Sequence, residues 1–183
     1  KLGIFISDVS GHGVPAALIT TMLKTYIKTG GEKLKEPHVF LNYIKNNIQC
    51  QLSGYYLTAI YAIYDYANMK LYYSRAGHNP FYLVRNHTII EPVIGGGIIC
   101  TMNLPPYTSH SIDLESGDFL LFYTDGLVEA MDENRIMFEE KMLQLLKRET
   151  DENMIELLYN SLKAHHGSEN FRDDICIITL ELK

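Results

Sequence analysis

No apolar run in the chain approaches the roughly 18 residues needed to cross a bilayer, and no signal-peptide pattern opens it. A cytoplasmic setting is the default expectation. Cysteine is scarce: Cys50, Cys100 and Cys176 form an odd, widely spaced set without a CxxC pair. That argues against a zinc knuckle and a disulfide framework. Apolar neighbours around each predict three reduced, mostly buried thiols. Positive charge is short as well. With 16 Lys and Arg against 22 Asp and Glu, the formal net charge is −6, which argues against nucleic acid, a ligand that demands a basic footprint. An acidic protein also repels a phosphate dianion, so phosphate chemistry here needs a cation in between, a role that a bound metal fills. Repeats, linkers and low-complexity tracts are missing too.

What is present suits one domain: 183 residues, 46% hydrophobic and 21% charged, within the size and composition of a single core. The chain opens on Lys1-Leu2-Gly3-Ile4-Phe5-Ile6, an apolar strand with no initiator Met. The expectation is a single domain over residues 1–183, an N-terminally truncated fragment of a longer protein.

Leu2 to Ser7 reads as a buried strand ending in Asp8, followed by the glycine-punctuated loop Val9-Ser10-Gly11-His12-Gly13. A helix follows from Val14, with Pro15 in its first turn and Leu18, Met22, Leu23, Tyr26 and Ile27 on one face; Gly30-Gly31 stop it. A second helix, Pro37 to about Ile48, carries Phe40, Leu41, Ile44 and Ile48 on one stripe. Leu57–Tyr64 is apolar on both faces and suits a central strand. Lys70–Ser74 and Phe81–Arg85 follow, with Asn86-His87 turning into Thr88–Pro92. Ser109–Leu114, the turn Glu115-Ser116-Gly117-Asp118, and Phe119–Tyr123 read as another hairpin. Helices return at about Phe138–Lys147 and Asn153–His165, and Ile175–Leu182 closes the chain as a strand. Meandering strands with helices in two blocks predict an α+β fold.

Three acidic sites share one setting, the point where an apolar strand meets a loop. Asp8 follows Ile4-Phe5-Ile6-Ser7, Asp125 follows Phe119-Leu120-Leu121-Phe122-Tyr123-Thr124, and Asp173-Asp174 precede Ile175-Cys176-Ile177-Ile178. Strand ends hold side chains rigidly, and a sheet can bring distant ends to one rim. Carboxylates gathered there repel one another unless a hard divalent cation neutralises them. Taken singly, each has a plainer reading: Asp-Gly as a turn and Asp-Asp as a solvated cap. Spacing does not choose between these.

The ordered set Ile6-Ser7-Asp8-Val9-Ser10-Gly11-His12-Gly13-Val14-Pro15-Ala16-Ala17, Leu57-Thr58-Ala59-Ile60-Tyr61, Ser74-Arg75-Ala76-Gly77-His78-Asn79-Pro80, Gly117 through Ala130, and Arg172-Asp173-Asp174-Ile175 resembles the PPM-type (PP2C-like) serine/threonine phosphatases, in their bacterial SpoIIE/RsbU-like branch. The resemblance implies an αββα sandwich, two mainly antiparallel sheets flanked by helices, with a two-metal site for Mn²⁺ or Mg²⁺. By motif, Asp8 would bridge both ions, the Val9 carbonyl would complete a shell, and Asp125 and Asp173 would be further ligands, the three aspartates forming the catalytic set. Gly11, His12, Gly126 and Asp174 would support it, Asp174 either by capping the strand or by bracing the ligands from behind. His12 has two readings, proton donor to the leaving serine oxygen or hydrogen-bonded latch of its loop. Gly77-His78-Asn79 would be a tight turn supporting the site from behind. Arg75 and Arg172 read as salt-bridged or solvated rather than phosphate-binding, and His165-His166 as a surface pair.

The implied activity is hydrolysis of phosphoserine on a regulatory protein by metal-activated water. The implied setting is the output domain of a bacterial signalling protein, with a STAS-type anti-sigma-factor antagonist as substrate and an upstream sensor or regulatory domain as partner. The branch carries a Gly-Gly-Asp segment one strand upstream of the Asp8 motif whose Asp helps hold the second metal. This chain starts after it, leaving an open sheet edge suited to homodimerisation. The helices flanking Gly30-Gly31 resemble switch elements that respond to such a regulatory domain. Two rival readings stand beside the phosphatase: a phosphatase-like, non-catalytic protein-binding module, and a metal-dependent hydrolase of small phosphoesters.

Overall fold

The computed structural model describes residues 1–93, 95–148 and 153–183. Along the chain run β1 (Leu2–Val9), α1 (Val14–Thr29), α2 (Pro37–Ile48), β2 (Leu57–Asp65) and β3 (Lys70–Ala76). There follow β4 (Tyr82–Arg85), β5 (Thr88–Ile90), β6 (His110–Asp113), β7 (Phe119–Tyr123), α3 (Asp125–Val128), α4 (Glu139–Leu146), α5 (Met154–His166) and β8 (Ile177–Glu181). The chain divides into two compact units, residues 1–78 with 93–114, and residues 79–92 with 115–183. Each unit holds one antiparallel sheet and its own helices, an α+β organisation. Among the described residues no helix is long and apolar enough to cross a membrane.

In the first unit the strand order is β1-β2-β3-β6. Leu57–Asp65 is an inner strand, as its two-sided apolarity predicts, and every residue in it is buried or half-buried. Its alternate residues Leu57, Ala59, Tyr61 and Ile63 face one way into a core shared with Ile19, Leu23, Phe40, Leu41, Ile44 and Ile48, the period of two expected of a pleated strand. Phe40 sits edge-on to Tyr61 with ring centroids 5.0 Å apart. Helix α2 spans the predicted residues, starting on Pro37, whose missing N–H costs nothing in the first turn. Helix α1 turns Met22, Leu23, Tyr26 and Ile27 to the core as predicted, and only Leu18 departs from the expected face. The buried stripe runs through Ile19 and Leu23, whereas Leu18 is 61% exposed, being about 100° round the helix from Ile19.

In the second unit the order is β5-β4-β7-β8. Leu121 and Tyr123 pack with Tyr82, Val84, Phe138, Met142, Leu158 and Leu162, and the Tyr82 and Tyr123 rings stack at 5.6 Å. Helix α5 is capped by Asn153, whose Oδ1 accepts from the Ile155 N–H at 2.9 Å, and ends on Gly167 in the left-handed region. The buried Asp118 carboxylate takes a two-pronged contact from Arg85, 2.8 Å to Nε and 2.7 Å to the terminal nitrogen. It also accepts the Glu115 N–H at 2.8 Å.

That turn overturns one sequence expectation. Ser109–Leu114 and Phe119–Tyr123 are not a hairpin: β6 pairs with β3, and β7 with β4 and β8. The split falls inside the turn. Leu114 N–H bonds to Met69 O at 2.8 Å, while Gly117 N–H goes to Leu182 O at 2.7 Å. The cysteine expectation also fails in part, since Cys100 is buried but Cys50 and Cys176 are exposed. Cys50 lies in a single 3₁₀ turn after α2, and Cys176 precedes β8, which begins at Ile177 rather than Ile175.

Candidate active site

In the first unit, Asp8 and Val9 are the last two residues of β1, opposite Thr58 and Leu57. The ladder continues one step beyond the strand: Ser10 N–H donates to Tyr56 O at 2.9 Å, and Tyr56 N–H donates to Ser10 Oγ at 2.8 Å. Hydrogen-bonded and non-hydrogen-bonded pairs alternate in an antiparallel ladder. With Ser10–Tyr56 bonded, Asp8–Thr58 is a bonded pair and Val9–Leu57 is not. The Val9 carbonyl therefore points off the sheet edge, away from β2. Leu57 correspondingly exchanges both of its backbone hydrogen bonds with Ile99, each 2.9 Å.

The loop beyond depends on glycine. Gly13 has φ 78° and ψ −153°, a region open almost only to glycine, and from it α1 starts, with Ala17 N–H reaching Gly13 O at 3.1 Å. Gly11 has φ 82°, and a Cβ there would stand 3.0 Å from the Tyr55 ring. His12 is exposed, and among the described residues its ring makes no hydrogen bond, so it is not a latch on its loop.

Behind Asp8 lies a support that the sequence reading named only as a turn. Buried His78, 3% exposed, shares a 2.7 Å hydrogen bond between Nδ1 and Thr58 Oγ1. Ser7 Oγ donates to Thr58 O at 2.7 Å. Arg75 Nε donates to His78 O. Gly77 at φ 67° leaves no room for a side chain, since a Cβ would stand 2.6 Å from Ile98 Cγ2. Thr58 was missed as a contributor; its signal is the single threonine in a strand of otherwise aliphatic and tyrosine side chains before Asp65.

In the second unit, β7 and β8 bring Asp125 beside Asp173 and Asp174. Asp125 is the first residue of α3 and half-buried; Asp173 and Asp174 are exposed in the lead-in to β8. Buried Thr124 ties the two together. Its Oγ1 donates to Asp174 O at 2.9 Å and accepts the Cys176 N–H at 2.9 Å, while Thr124 N–H reaches Cys176 O at 3.1 Å. Gly126 is packed so closely that a Cβ would stand 2.6 Å from Asp174 O. Each acid is braced by its neighbour's amide: Asp125 Oδ1 accepts from Gly126 N at 3.1 Å, and Asp173 Oδ1 from Asp174 N at 2.8 Å. Thr124 is a second contributor that sequence reading passed over, a hydroxyl closing an apolar strand.

A cleft of about 570 Å³ opens beside Asp173 and Asp174, walled by Tyr159, Phe171 and Ile175. Arg172 is exposed and, among the described residues, makes no ion pair. Although Cys176 is an exposed residue, partial desolvation raises its thiol, which disfavours the nucleophilic thiolate near neutral pH. Among the described residues no three His, Cys, Asp or Glu side chains are clustered tightly enough to hold one metal ion. The donors available in the two units are carboxylates and one outward carbonyl, an all-oxygen set of the kind hard divalent cations prefer.

The family model of Stage II sporulation protein E (SpoIIE) matches residues 1–183. The chain belongs to the SpoIIE family. Among its relatives, the phosphoserine phosphatase RsbU of Bacillus subtilis (strain 168) is 25% identical over 189 residues, covering 100% of this chain and 56% of RsbU. The SiaA-PP2C domain of Pseudomonas aeruginosa superposes with a TM-score of 0.82 at 21% identity, over 99% of this chain and 76% of that one. The catalytic domain of the serine threonine protein phosphatase PstP, in complex with 2 manganese ions, gives 0.70 at 13% identity, over 97% and 86%. The fold of this SpoIIE-family chain is thus the α+β fold of PP2C domains. The chain spans about half the length of the curated relatives it matches.

Proposed function

We propose that this domain is an Mn²⁺- or Mg²⁺-dependent phosphoprotein phosphatase that hydrolyses phosphoserine or phosphothreonine on a regulatory protein. The observation that carries it is the Thr124 tie, which seats Asp125 and the Asp173-Asp174 pair side by side in a chain of the SpoIIE family. The naming of RsbU as a phosphoserine phosphatase and the manganese ions of PstP support the same reading.

In this reading the carboxylates of Asp8, Asp125 and Asp173 and the carbonyl of Val9 would be the groups that hold the two ions. The ions would lower the pKa of a water into the neutral range and neutralise the phosphoryl oxygens. The chain's own residues do the rest. Gly11 and Gly13 let the loop turn sharply past Asp8, and Gly126 lets the Asp125 turn pack against Asp174. Exposed His12, on its glycine-flanked loop, would be the proton donor to the leaving serine oxygen. No covalent phosphoenzyme is required, in keeping with the raised thiol of Cys176. The substrate class is a small phosphoprotein, of which a STAS-type anti-sigma-factor antagonist is the specific candidate. An upstream sensor domain, a cytoplasmic setting and a homodimer complete the proposal.

One observation favours a second reading, a phosphatase-like module that binds a partner without turnover: the lack, among the described residues, of a three-ligand cluster. Phosphate release separates the two. Release from a phosphoserine protein should require Mn²⁺ and vanish with chelator, and Asp8→Asn should abolish it while the melting temperature stays within a few degrees. Turnover that ignores chelator would remove the metal mechanism, and absent turnover in the full-length protein would favour the binding module.

A further inference from the structure

Thr58 is a node in the first unit. Its backbone pairs with Asp8, its carbonyl accepts the Ser7 hydroxyl at 2.7 Å, and its own hydroxyl bonds to His78 Nδ1 at 2.7 Å. Directly opposed residues in an antiparallel pair project to the same face with Cβ atoms about 5 Å apart. The Thr58 rotamer therefore borders the space in which the Asp8 side chain settles. Strand β1 pairs with β2 and stands at the edge of its four-stranded sheet, so within this sheet the place of Asp8 is inherited from β2.

His78 in turn is held from several sides. It is 3% exposed. The preceding Gly77 bridges to Ala59, one residue along β2 from Thr58, and its N–H donates to Gly96 O at 3.1 Å. Gly96 itself admits no side chain, since a Cβ would stand 2.1 Å from Arg75 O. Arg75 Nε closes the turn on the His78 carbonyl. A buried imidazole in so constrained a turn costs conformational freedom, and a hydrogen bond joins its Nδ1 to the residue opposite Asp8.

We infer that His78 is a positioning residue that acts through Thr58 to set the carboxylate of Asp8 for divalent-cation binding. The inference rests on the reading of Asp8 as a metal ligand. It asks nothing of the protonation of His78, only that a hydrogen-bonding atom occupy the Nδ1 position.

The test is Mn²⁺ binding to the full chain, followed by electron paramagnetic resonance of the free ion and by calorimetry, with no substrate present. Thr58→Val and His78→Ala should each weaken Mn²⁺ binding by about 10- to 100-fold, the range seen when the groups orienting a ligand are lost. The double variant should be no weaker than the worse single one, because both break the same link. His78→Asn, which can place an amide near the Nδ1 position, should recover most of the affinity. Asp118→Ala serves as a control for general destabilisation and should bind Mn²⁺ as the parent does. Should His78→Ala fail to fold, Thr58→Val alone decides. Parent-like Mn²⁺ affinity in Thr58→Val, with Asp8→Asn abolishing binding, overturns the positioning role and leaves the phosphatase reading standing. Equal Mn²⁺ binding by the parent and Asp8→Asn removes the metal reading of Asp8, and the inference with it.

Discussion

The two units seat their acidic residues by different means. In the first, Asp8 is a rung of a ladder, paired in register with Thr58 along a run that continues through Ser10 and Tyr56. In the second, Asp125, Asp173 and Asp174 lie beyond the paired strands, joined by the hydroxyl of Thr124. A ladder fixes the backbone of Asp8 through many bonds and leaves only its side-chain setting to neighbours such as Thr58. A single hydroxyl concentrates the task, and its loss is felt at once. Strand β7 carries the contrast within itself, with Asp118 clamped by Arg85 before its first residue and Thr124 after its last.

The largest effect on stability should come from Asp118→Ala. It leaves Arg85 without its buried partner and the Glu115 N–H without its acceptor, at a cost of about 3 kcal/mol. Denaturant unfolding measures this, and a loss under about 1 kcal/mol would show that Glu115 alone satisfies Arg85. A smaller loss, about 1–3 kcal/mol, should follow Thr124→Val, which strands the Cys176 N–H. Phosphate release should nevertheless fall by about 10- to 100-fold at temperatures where the protein is folded. Unchanged turnover would mean that the acids of the second unit do not depend on their tie.

The smallest effect lies in alkaline solution and samples both units. Burial pushes up the phenol of Tyr107 in the first unit. Burial, together with a hydrogen bond to Tyr82, pushes up that of Tyr123 in the second. A phenol raised in the folded state contributes fully below its unfolded value of about 10 and loses that contribution as pH rises through the folded value. The protein should therefore destabilise above about pH 10, by at most about 1.4 kcal/mol per pH unit for each tyrosine. Tyr107→Phe and Tyr123→Phe should each flatten that decline in thermal melts. A variant that keeps the parent's slope would show its phenol to titrate normally.

Much of the local structure was legible in order along the chain. The Pro37–Ile48 helix and the Phe119–Tyr123 strand fall on the predicted residues, because helical and alternating periodicity, proline placement and chain reversal are properties of neighbouring residues. The acidic strand ends were legible too, as the places where apolar runs give way to Asp and Gly. Several features were not. Leu18 and Ile19 are equally apolar, and which of them is buried depends on what packs against α1. Cys50 and Cys176 sit among apolar neighbours in sequence yet are exposed in space. Thr58 and Thr124 read as ordinary strand residues until their hydroxyls meet His78 and Asp174, 20 and 50 residues away.

By itself, then, the sequence determined the elements, their order and the chemistry available at their ends, since these follow from interactions within a few residues. Only the tertiary structure decided that β6 and β7, adjacent across one turn, join different sheets. Strand partnership is set by burial and backbone pairing between distant segments, and a local pattern carries no record of which distant segment wins.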